Sequence, residues 1–442
     1  MRLALAGGKP VTSRDARPRW PVVTSAEREA VQRVLDGGKF TATTRGEQEV
    51  KHLEREYAQY VGKRYCIAVS SGTSALHAAV AAAGVGPGDE VVVPALTFMA
   101  PAVAALHHQG IPVFADIDPV TYNMDPRAAE AVITDRTRAV LPVHLHGLPV
   151  DMDEFMALGK RRGVVIIEDT SQAHGALYKG RKVGGIGDIA AGSIMAAKNL
   201  PACGEGGLLA TDDPGYRERA DMIRQFGEVV HENEERQYNS LTMGWNYRMN
   251  PIQAAFARCQ LERLDEKNLG RQELIAEFTR RLAELPGLLP PVVPPDRTHV
   301  YYLFRFRVDP AAAGLSGLEV GRFRLAVHRA AWAEGVVLGE YQNAPVPGQD
   351  LFQRREGYGR GCPWTCPHAR PRTYDIHDFP VTLQVIESTL CMQMLCDPAD
   401  LGPLLDAYLE AFKKIWQNLD YVAKYARATS YAPPWTKTAR PY

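Results

Sequence analysis

The chain has 442 residues, of which 45% are hydrophobic and 23% charged, a composition that is ordinary for a folded globular protein. Lys and Arg number 51, as do Asp and Glu, so the charge balance favours neither nucleic acid nor an anionic membrane as a partner. Apolar runs stay below the roughly 18 residues that a membrane-spanning helix needs, and the N-terminal apolar patch is too short for a signal peptide. Seven cysteines without regular spacing argue against a disulfide framework and predict a cytoplasmic enzyme.

The N-terminal region divides into an arm and two helices. Residues 1–24 carry Gly, Pro and Arg without periodicity and are interpreted as an arm that lies over the rest of the protein. A helix is predicted over Ser25–Leu35, because Ser25 is a suitable cap and Gly37-Gly38 a suitable stop. A second helix is predicted over Gly46–Tyr60 from its apolar face.

From residue 66 onwards, short β-branched runs alternate with helical segments. The predicted strands are Cys66–Ser70, Glu90–Pro94, Pro112–Ile117, Ala139–His144, Val164–Asp169 and Gly207–Thr211, and helices are predicted at Thr73–Ala83, Ala100–His107 and Met152–Arg162. Such alternation is typical of an α/β fold with a mostly parallel sheet that is covered on both faces. Ligands bind such sheets at the carboxyl ends of the strands.

The pattern changes beyond about residue 265, where we predict a smaller α+β domain. Its predicted elements are a helix from Pro251 to about Asn268 that leads into it, a helix at Leu274–Leu285, a proline-rich crossing at Pro286–Pro295, a strand at Val300–Val308, and helices at Glu319–Glu334 and Ala399–Asn418. Residues 341–380 form a long insertion rich in Gly, Pro and aromatic residues, a length typical of functional or disordered loops. The predicted domains are therefore the arm (1–24), a large domain (25–265) and a C-terminal domain (266–442).

A phosphate cup is indicated where the first predicted strand ends. Ser71, Gly72 and Thr73 follow that strand and open a helix at once. Small residues at a helix N-terminus leave backbone N–H groups free beside the positive end of the helix dipole, which suits a phosphate group. The segment matches neither the Walker pattern nor the dinucleotide fingerprint. An ordinary Ser/Thr cap is the alternative.

Two further strand ends carry candidate site residues. Phe98 follows the second strand, at the rim of the same cleft, where an aromatic ring can stack on a flat ligand. Asp169 lies in the polar run Glu168–Gly175, which directly follows four apolar residues. We expect Asp169 to meet a positively charged partner in the cleft. Core packing of Phe98 and a structural salt bridge of Asp169 are the alternatives.

A single lysine stands in the nearly uncharged stretch from Asp188 to Gly207. Lys198 is surrounded there by small apolar residues, and a lysine is costly to bury unless its amine is used. Desolvation lowers the pKa of such an amine, and a neutral amine can form a Schiff base with a carbonyl compound. Gly204–Gly207 lets the backbone turn tightly beside it. An ordinary surface lysine at a strand end is the alternative.

Together these residues indicate one cofactor, pyridoxal 5′-phosphate. A phosphate cup, a stacking aromatic ring, a carboxylate for the pyridine nitrogen and a Schiff-base lysine occur in that order along the chain, and they are the groups that this cofactor requires. In this interpretation Asp169 keeps the pyridine nitrogen protonated, so that the ring accepts electrons from the substrate.

The order of the motifs is similar to that of the DegT/StrS family of sugar aminotransferases, which share the aspartate aminotransferase (type I) fold. The matching motifs are Ser71-Gly72-Thr73, Thr97-Phe98, Glu168-Asp169-x-x-Gln172-Ala173-His174-Gly175, Ser193 with Lys198 five residues later, Gly204–Gly207, and Gly244-x-Asn246-x-Arg248. Ile194 stands where the family usually has phenylalanine, and Thr170-Ser171 replaces a more usual Cys/Ala-type pair. Both substitutions leave the lysine in place.

The resemblance implies further roles and an assembly. Gln172 is expected near the ring hydroxyl of the cofactor, Ser193 at its phosphate, and Asn246 at the phosphate of a neighbouring subunit, which implies a homodimer with shared active sites. Relatives that replace the lysine by histidine are dehydratases, so Lys198 favours amino transfer. In that reaction the cofactor alternates between its pyridoxal and pyridoxamine forms.

Within the family, the aminocyclitol branch is the most similar. Val143–Gly147, Tyr301–Phe306 and Cys362–Thr365 resemble segments of glutamine:scyllo-inosose aminotransferases of antibiotic pathways. The expected reaction moves an amino group from L-glutamine or L-glutamate to a keto group of a sugar or cyclitol.

Substrate contacts and rival functions stay open in the sequence. His144, His146 and Arg248 are candidate substrate contacts. A lyase or dehydratase on the same scaffold is one rival, and a non-catalytic regulatory protein that retains the fold is another. A metal site is not expected, because Cys362, Cys366 and His368 supply only three ligands with a spacing that fits no common zinc module.

Overall fold

The computed structural model describes residues 1–16, 18–230 and 236–436. Arg17 of the predicted arm and residues 437–442 of the predicted C-terminal domain lie outside these ranges. Among the described residues, no helix has the length and apolar character needed to cross a membrane.

Helices and strands alternate over the first half of the chain. The helices are α1 (Ser25–Gly37), α2 (Glu49–Val61), α3 (Gly72–Ala82), α4 (Ala100–His107), α5 (Pro126–Ala131), α6 (Met152–Arg162), α7 (Pro214–Arg224), α8 (Pro251–Glu262), α9 (Leu264–Leu282), α10 (Val320–Ala333), α11 (Asp350–Arg354), α12 (Pro380–Ser388), α13 (Pro398–Trp416) and α14 (Leu419–Ala428). The strands are β1 (Tyr65–Val69), β2 (Glu90–Pro94), β3 (Ile111–Ala115), β4 (Thr137–Val140), β5 (Val165–Asp169), β6 (Leu177–Tyr178), β7 (Arg181–Lys182), β8 (Ile189–Ser193), β9 (Gly207–Thr211), β10 (Leu288–Leu289), β11 (Leu303–Val308) and β12 (Thr389–Gln393).

A seven-stranded sheet in the order β1-β9-β8-β5-β4-β2-β3 forms the centre of the protein. All its strands are parallel except β9, which runs antiparallel to both of its neighbours. Side chains alternate across the sheet: Val91 and Val93 join the hydrophobic core on one face, whereas Val92 joins Phe155 of α6 on the other. The predicted α/β fold with a mostly parallel sheet is confirmed.

β8 and the boundary between α8 and α9 are among the features that the predictions miss or misplace. β8 is absent from the predicted strands because Ala190, Ala191 and Gly192 have low strand propensity; pairing on both sides supplies the stability instead. The predicted helices at 251–268 and 274–285 are wrong at their shared boundary. The first ends at Glu262, and α9 then runs unbroken through Gly270, which lies close to Pro398 at the start of α13.

The C-terminal part has its own core. β10, β11 and β12 form an antiparallel sheet, and the apolar side chains of β11 pack against α9, α10 and α13. Leu3 of the arm is buried in the same cluster. The domain division remains a proposal; support for it comes from these two separate cores.

The insertion at 341–380 packs on the large domain rather than on the C-terminal core. Phe352 and Tyr374 are buried against Phe114 of β3, and the Tyr374 hydroxyl donates to the carbonyl of Pro112 at 2.9 Å. β3 is the last strand of the sheet order. The insertion therefore covers β3, the edge strand of the sheet. Proteins protect such edge strands from pairing with other chains.

Candidate active site

Three strands deliver polar residues to one edge of the central sheet. β1, β5 and β8 run parallel, so their carboxyl ends, at Val69, Asp169 and Ser193, lie on the same side. Sequence motifs more than 100 positions apart along the chain are thus brought together by strand order.

The N-terminus of α3 packs against the end of β8. Ser71 caps the helix, with its Oγ accepting from the Ser74 N–H at 3.1 Å. The N–H groups of Gly72 and Thr73 precede the first i→i−4 bond, from Ala75 to Ser71, and so lack intrahelical acceptors. The predicted cup residues and Ser193 therefore form one cluster, with free donors at the positive end of the helix dipole.

Two glycines make this close approach possible. A Cβ at Gly72 would come within 2.3 Å of the Ser193 Cβ, and a Cβ at Gly207 within 2.1 Å of the Ser71 carbonyl oxygen. Any larger residue would push the helix away from the strands. The glycines thus fix the distance between the helix N-terminus and Ser193.

Asp169 is a buried carboxylate without a salt-bridge partner in the described part of the chain. Its side chain is 4% exposed, and Oδ1 accepts from the Ser171 N–H at 2.9 Å. Burial raises the pKa of Asp169, against the hydrogen bonds from Ser171 and the charge of Lys198. No salt bridge within the described ranges involves Asp169. A buried carboxylate in this state is poised to receive a cationic N–H group from a ligand.

Lys198 lies in the irregular segment between β8 and β9. It is half-buried, so the expected burial of this lysine is only partial, because the segment leaves the sheet after β8. Its Nζ lies 4.7 Å from the ring centroid of Tyr302. Tyr302 belongs to a segment that the sequence marks only by family resemblance, and no spacing signal assigns it to the site.

Gln172 links the polar run after β5 to the insertion. Its Nε2 donates to the Tyr341 hydroxyl at 2.9 Å, and its Oε1 accepts from the His146 N–H at 2.7 Å. Tyr341 is the first residue of the insertion, and neighbouring Gln342 donates to the Thr97 carbonyl at 2.9 Å. The insertion thus borders the site, and the sequence predicts its length without identifying Tyr341.

Phe98, the predicted stacking residue, is 58% exposed. It follows β2, whose carboxyl end lies at the same edge as that of β5. This placement excludes core packing, the alternative reading of this side chain. Phe98 therefore offers an uncovered aromatic face beside the cleft.

The His144 side chain is bonded to Glu168 and to the Val150 backbone. It is not placed to make the predicted contact with a substrate. Its Nδ1 accepts from the Val150 N–H at 3.1 Å, so Nε2 carries the proton and donates to Glu168 at 3.0 Å. Both residues are fully buried. Burial by itself would raise the pKa of Glu168. The hydrogen bonds from His144 and from the backbone of Gly184 and Gly187 outweigh this effect and hold that pKa below its usual value.

His146 is also buried, and it contacts Tyr341 rather than the open cleft. Its ring meets the Tyr341 ring edge-on at 4.6 Å, and Nε2 accepts from Arg305 at 3.1 Å. Any effect of His146 on a substrate would therefore act through Tyr341, which corrects the predicted direct contact.

The remaining predicted residues lie near the end of β1. Arg248 pairs with Val69 by a backbone bridge, and its Nη1 is buried without a partner among the described residues. Asn246 is exposed. Its predicted contact with a neighbouring subunit stays a prediction.

The cysteines form no cluster suited to a metal ion. Within the described ranges, no three His, Cys, Asp or Glu residues lie close enough together to hold one. No disulfide joins the seven cysteines, Cys362 and Cys366 included, all of which lie within the described ranges.

Acidification is expected to destabilise the apoprotein through its buried histidines. Burial lowers the pKa of His174 to about 4, and of His77 and His299 to about 3. Between pH 7.5 and 5.5 these histidines become protonated in the unfolded chain but stay neutral in the folded protein, so the free energy of unfolding falls as the pH falls. The free energy of unfolding should drop by about 1 kcal/mol per histidine.

Urea unfolding at the two pH values measures this effect. His174→Gln should reduce the difference by roughly a third of the three-histidine total, whereas the matched change at exposed His368, H368Q, should not alter it. Equal midpoints at pH 7.5 and 5.5 would contradict the expectation.

Comparisons with known proteins agree with this geometry. The sequence model of the DegT/DnrJ/EryC1/StrS aminotransferase family matches residues 21–368. The chain is 41% identical to dTDP-3-amino-3,4,6-trideoxy-alpha-D-glucose transaminase of Streptomyces venezuelae over 63% of this chain and 71% of that protein. It is 36% identical to L-glutamine:scyllo-inosose aminotransferase of Streptomyces griseus over 72% of this chain and 76% of that protein.

A solved structure extends the likeness to nearly the whole chain. The X-ray structure of S. venezuelae DesV in complex with a ketimine intermediate has a TM-score of 0.75 and 32% identity. The match covers 91% of this chain and 99% of that one.

Proposed function

The chain belongs to the DegT/DnrJ/EryC1/StrS aminotransferase family, and from this premise we propose that it moves an amino group from L-glutamine or L-glutamate to a keto group of a sugar or cyclitol. The enzyme is an aminotransferase. The observation that carries the proposal is a group of three features at the carboxyl ends of the strands: the buried Asp169 carboxylate, the Lys198 amine whose charge acts on it, and the N–H groups that begin α3 beside Ser193.

The cofactor is pyridoxal 5′-phosphate, and the site residues fit it. The cradle of Ser71, Gly72, Thr73 and Ser193 offers N–H and hydroxyl donors to a phosphate, and Asp169 offers a buried carboxylate to a pyridine N–H. When bound, the cofactor would supply an aldehyde that condenses with amines and a ring that withdraws electrons, and its pyridoxamine 5′-phosphate form would carry the amino group between the two substrates.

Within this reaction the side chains have distinct tasks. Lys198 Nζ removes a proton from the Cα of the amino donor and returns one in the second half of the cycle. Asp169 holds the ring nitrogen in its protonated state, because its own burial makes an uncompensated negative charge unfavourable. Phe98 limits the tilt of the ring by stacking.

Gln172 positions Tyr341 at the border of the site. The Tyr341 hydroxyl accepts from Gln172 and keeps its own proton, because burial raises its pKa. It can therefore donate a hydrogen bond to an acceptor oxygen of a ligand at neutral pH. We assign Tyr341 and Arg248 as the residues that contact the oxygen-rich acceptor substrate.

Two considerations support a cyclitol acceptor and an antibiotic or other secondary-metabolite pathway. A relative with 36% identity is named for scyllo-inosose and L-glutamine, and the segments Val143–Gly147 and Tyr301–Phe306 border the site through His146 and Tyr302. The nucleotide-sugar relative is the reason to test both substrate classes.

The test is a substrate panel followed by product analysis. Enzyme in the pyridoxamine form should return to the pyridoxal spectrum with a keto-inositol and not with a dTDP-linked ketosugar. The full reaction should yield one oxo acid for each aminated product. A product that lacks nitrogen, as a lyase or dehydratase would release, would overturn the proposal, and a protein without turnover would support the regulatory rival.

We also propose a homodimer with shared active sites. Large apolar side chains are exposed in the stretches of chain near the predicted subunit contact: Phe226, Tyr238, Leu241 and Met243. Such a patch on one protomer favours burial against a second copy, and exposed Asn246 lies within the same stretch of chain.

Mixed dimers test the shared site. The Lys198→Ala and Asn246→Ala variants should each have low activity alone. After equal mixing and subunit exchange, the mixture should recover about a quarter of the wild-type activity. Half of the protomers enter mixed dimers, and each mixed dimer contains one intact site. The control is an equal mixture of Lys198→Ala with Lys160→Ala, a change at an exposed lysine of α6. It measures how far mixing with an inactive variant lowers the activity by dilution alone. A mixture no more active than its parts would contradict the shared site.

The cytoplasm remains the proposed location. Support comes from the absence of disulfides among the seven cysteines, which all lie in the described part of the chain, because disulfides form and persist mainly in oxidising compartments.

A further inference from the structure

Trp20 of the N-terminal arm contacts the backbone of the lysine segment. Its indole Nε1–H donates to the carbonyl oxygen of Lys198 at 3.0 Å, across 178 positions of the chain. No motif in the sequence connects these residues. The contact therefore needs a physical explanation of its own.

The lysine segment has few other constraints at this point. The Lys198 N–H donates to the Met195 carbonyl at 2.7 Å, and the side chain of Asn199 donates to the His174 carbonyl at 2.6 Å. The Lys198 carbonyl lies between these two anchors. A bond to it fixes the orientation of the peptide that leaves the Lys198 Cα, and hence the direction from which the flexible side chain starts.

Trp20 is itself held by the helices beneath the site. Lys267 Nζ lies 5.5 Å and Arg271 Cζ 5.8 Å from its ring centroid, within the range of cation–π attraction. The Gln260 side chain donates to the Val22 carbonyl at 2.9 Å. Contacts with α8 and α9 thus hold the indole in place, although it belongs to the N-terminal arm.

We propose that Trp20 is a positioning residue that holds the Lys198 backbone, so that its amine meets the cofactor and the substrate Cα at the required place. The inference rests on the proposed role of Lys198. Displacement of a reacting group by about 1 Å can cost 100-fold in rate, so one fixed peptide matters even though the indole touches neither ligand.

Trp20→Phe is the informative variant, because it keeps an aromatic ring for Lys267 and Arg271 and removes the N–H donor. In the apoprotein, hydrogen exchange in the peptide spanning residues 194–204 should become roughly 2- to 10-fold faster, as expected for one lost hydrogen bond. In the loaded enzyme, kcat should fall by roughly the same factor or more while KM for the keto substrate stays unchanged.

Two controls separate this role from general stabilisation. Trp332→Phe makes the same chemical change on α10, at a ring that is 43% exposed, and should leave both readouts unchanged. Leu3→Ala loosens the other end of the arm in the C-terminal core, and it should lower the melting temperature without selective exchange at residues 194–204.

The outcomes are distinct from those that test the function. Unchanged exchange in Trp20→Phe would overturn the proposal, as would an equal increase in Leu3→Ala. A wild-type protein that aminates no keto substrate would defeat the proposed function, while the exchange experiment would still report on the Trp20–Lys198 contact.

Discussion

Replacing Lys198 with alanine is expected to abolish amino transfer, with kcat falling by at least about 1,000-fold. In the proposed function the amine is both the attachment point for the cofactor and the group that moves the proton, and the loss of a general base alone typically costs about 100- to 10,000-fold. Tyr302, the aromatic ring beside Nζ, has no amine to substitute for it.

Absorbance spectroscopy and steady-state kinetics measure this loss. The visible band of the lysine-bound cofactor should disappear in Lys198→Ala, while noncovalent binding to the cradle of Ser71, Gly72, Thr73 and Ser193 remains. Lys160→Ala, on the exposed face of α6, should keep wild-type kinetics and spectra. A Lys198→Ala enzyme that still turns over at more than about 1% of the wild-type rate would refute the assignment.

Replacing Asp169 with asparagine is expected to separate activity from stability. Activity should fall by about 100-fold or more, because the amide cannot hold a protonated ring nitrogen as a buried carboxylate does. The apoprotein should nevertheless be at least as stable as the wild type at pH 7.5. The asparagine side chain would keep an acceptor oxygen for the Ser171 N–H and would remove a charge that burial disfavours.

The pH dependence of this stability difference has a fixed sign. Burial raises the pKa of Asp169 in the folded state, so ionisation at higher pH costs stability, and the advantage of Asp169→Asn should vanish below the pKa values of both states. Urea unfolding of the apoprotein at pH 7.5 and at about pH 3.5 tests this. Asp153→Asn, at an exposed surface pair with Lys179, is the matched control. A large loss of stability in Asp169→Asn would indicate a structural salt bridge.

The sequence determined the alternation of elements and the order of the chemical groups. Apolar strands such as β2, buried on both faces, alternate with helices whose caps and stops are local, so the parallel sheet follows from short-range patterns. In such a sheet the strand ends meet, and this places Ser71 and Asp169 together. Ser193 ends β8, a strand that the sequence pattern does not predict. Lys198 is identified by its isolation in an apolar stretch.

Only the tertiary structure decided which polar residues face the cleft. His144 and Asp169 lie at the ends of adjacent parallel strands, yet His144 forms a buried pair with Glu168 and Asp169 has no cationic partner within the described ranges. Sequence patterns specify which face of a strand a side chain occupies, and they do not specify which partner it finds there. The same limit applies to Gln172, whose partner comes from the insertion 169 positions away.

The contacts that complete the site are long-range. Tyr302, Tyr341 and Trp20 reach it from the C-terminal part, the insertion and the arm. Their positions depend on how separate cores pack, and neither periodicity nor spacing encodes that packing locally. The sequence by itself therefore determined the fold class and the candidate catalytic groups, whereas the packing of distant segments decided how Lys198 is held and what surrounds it.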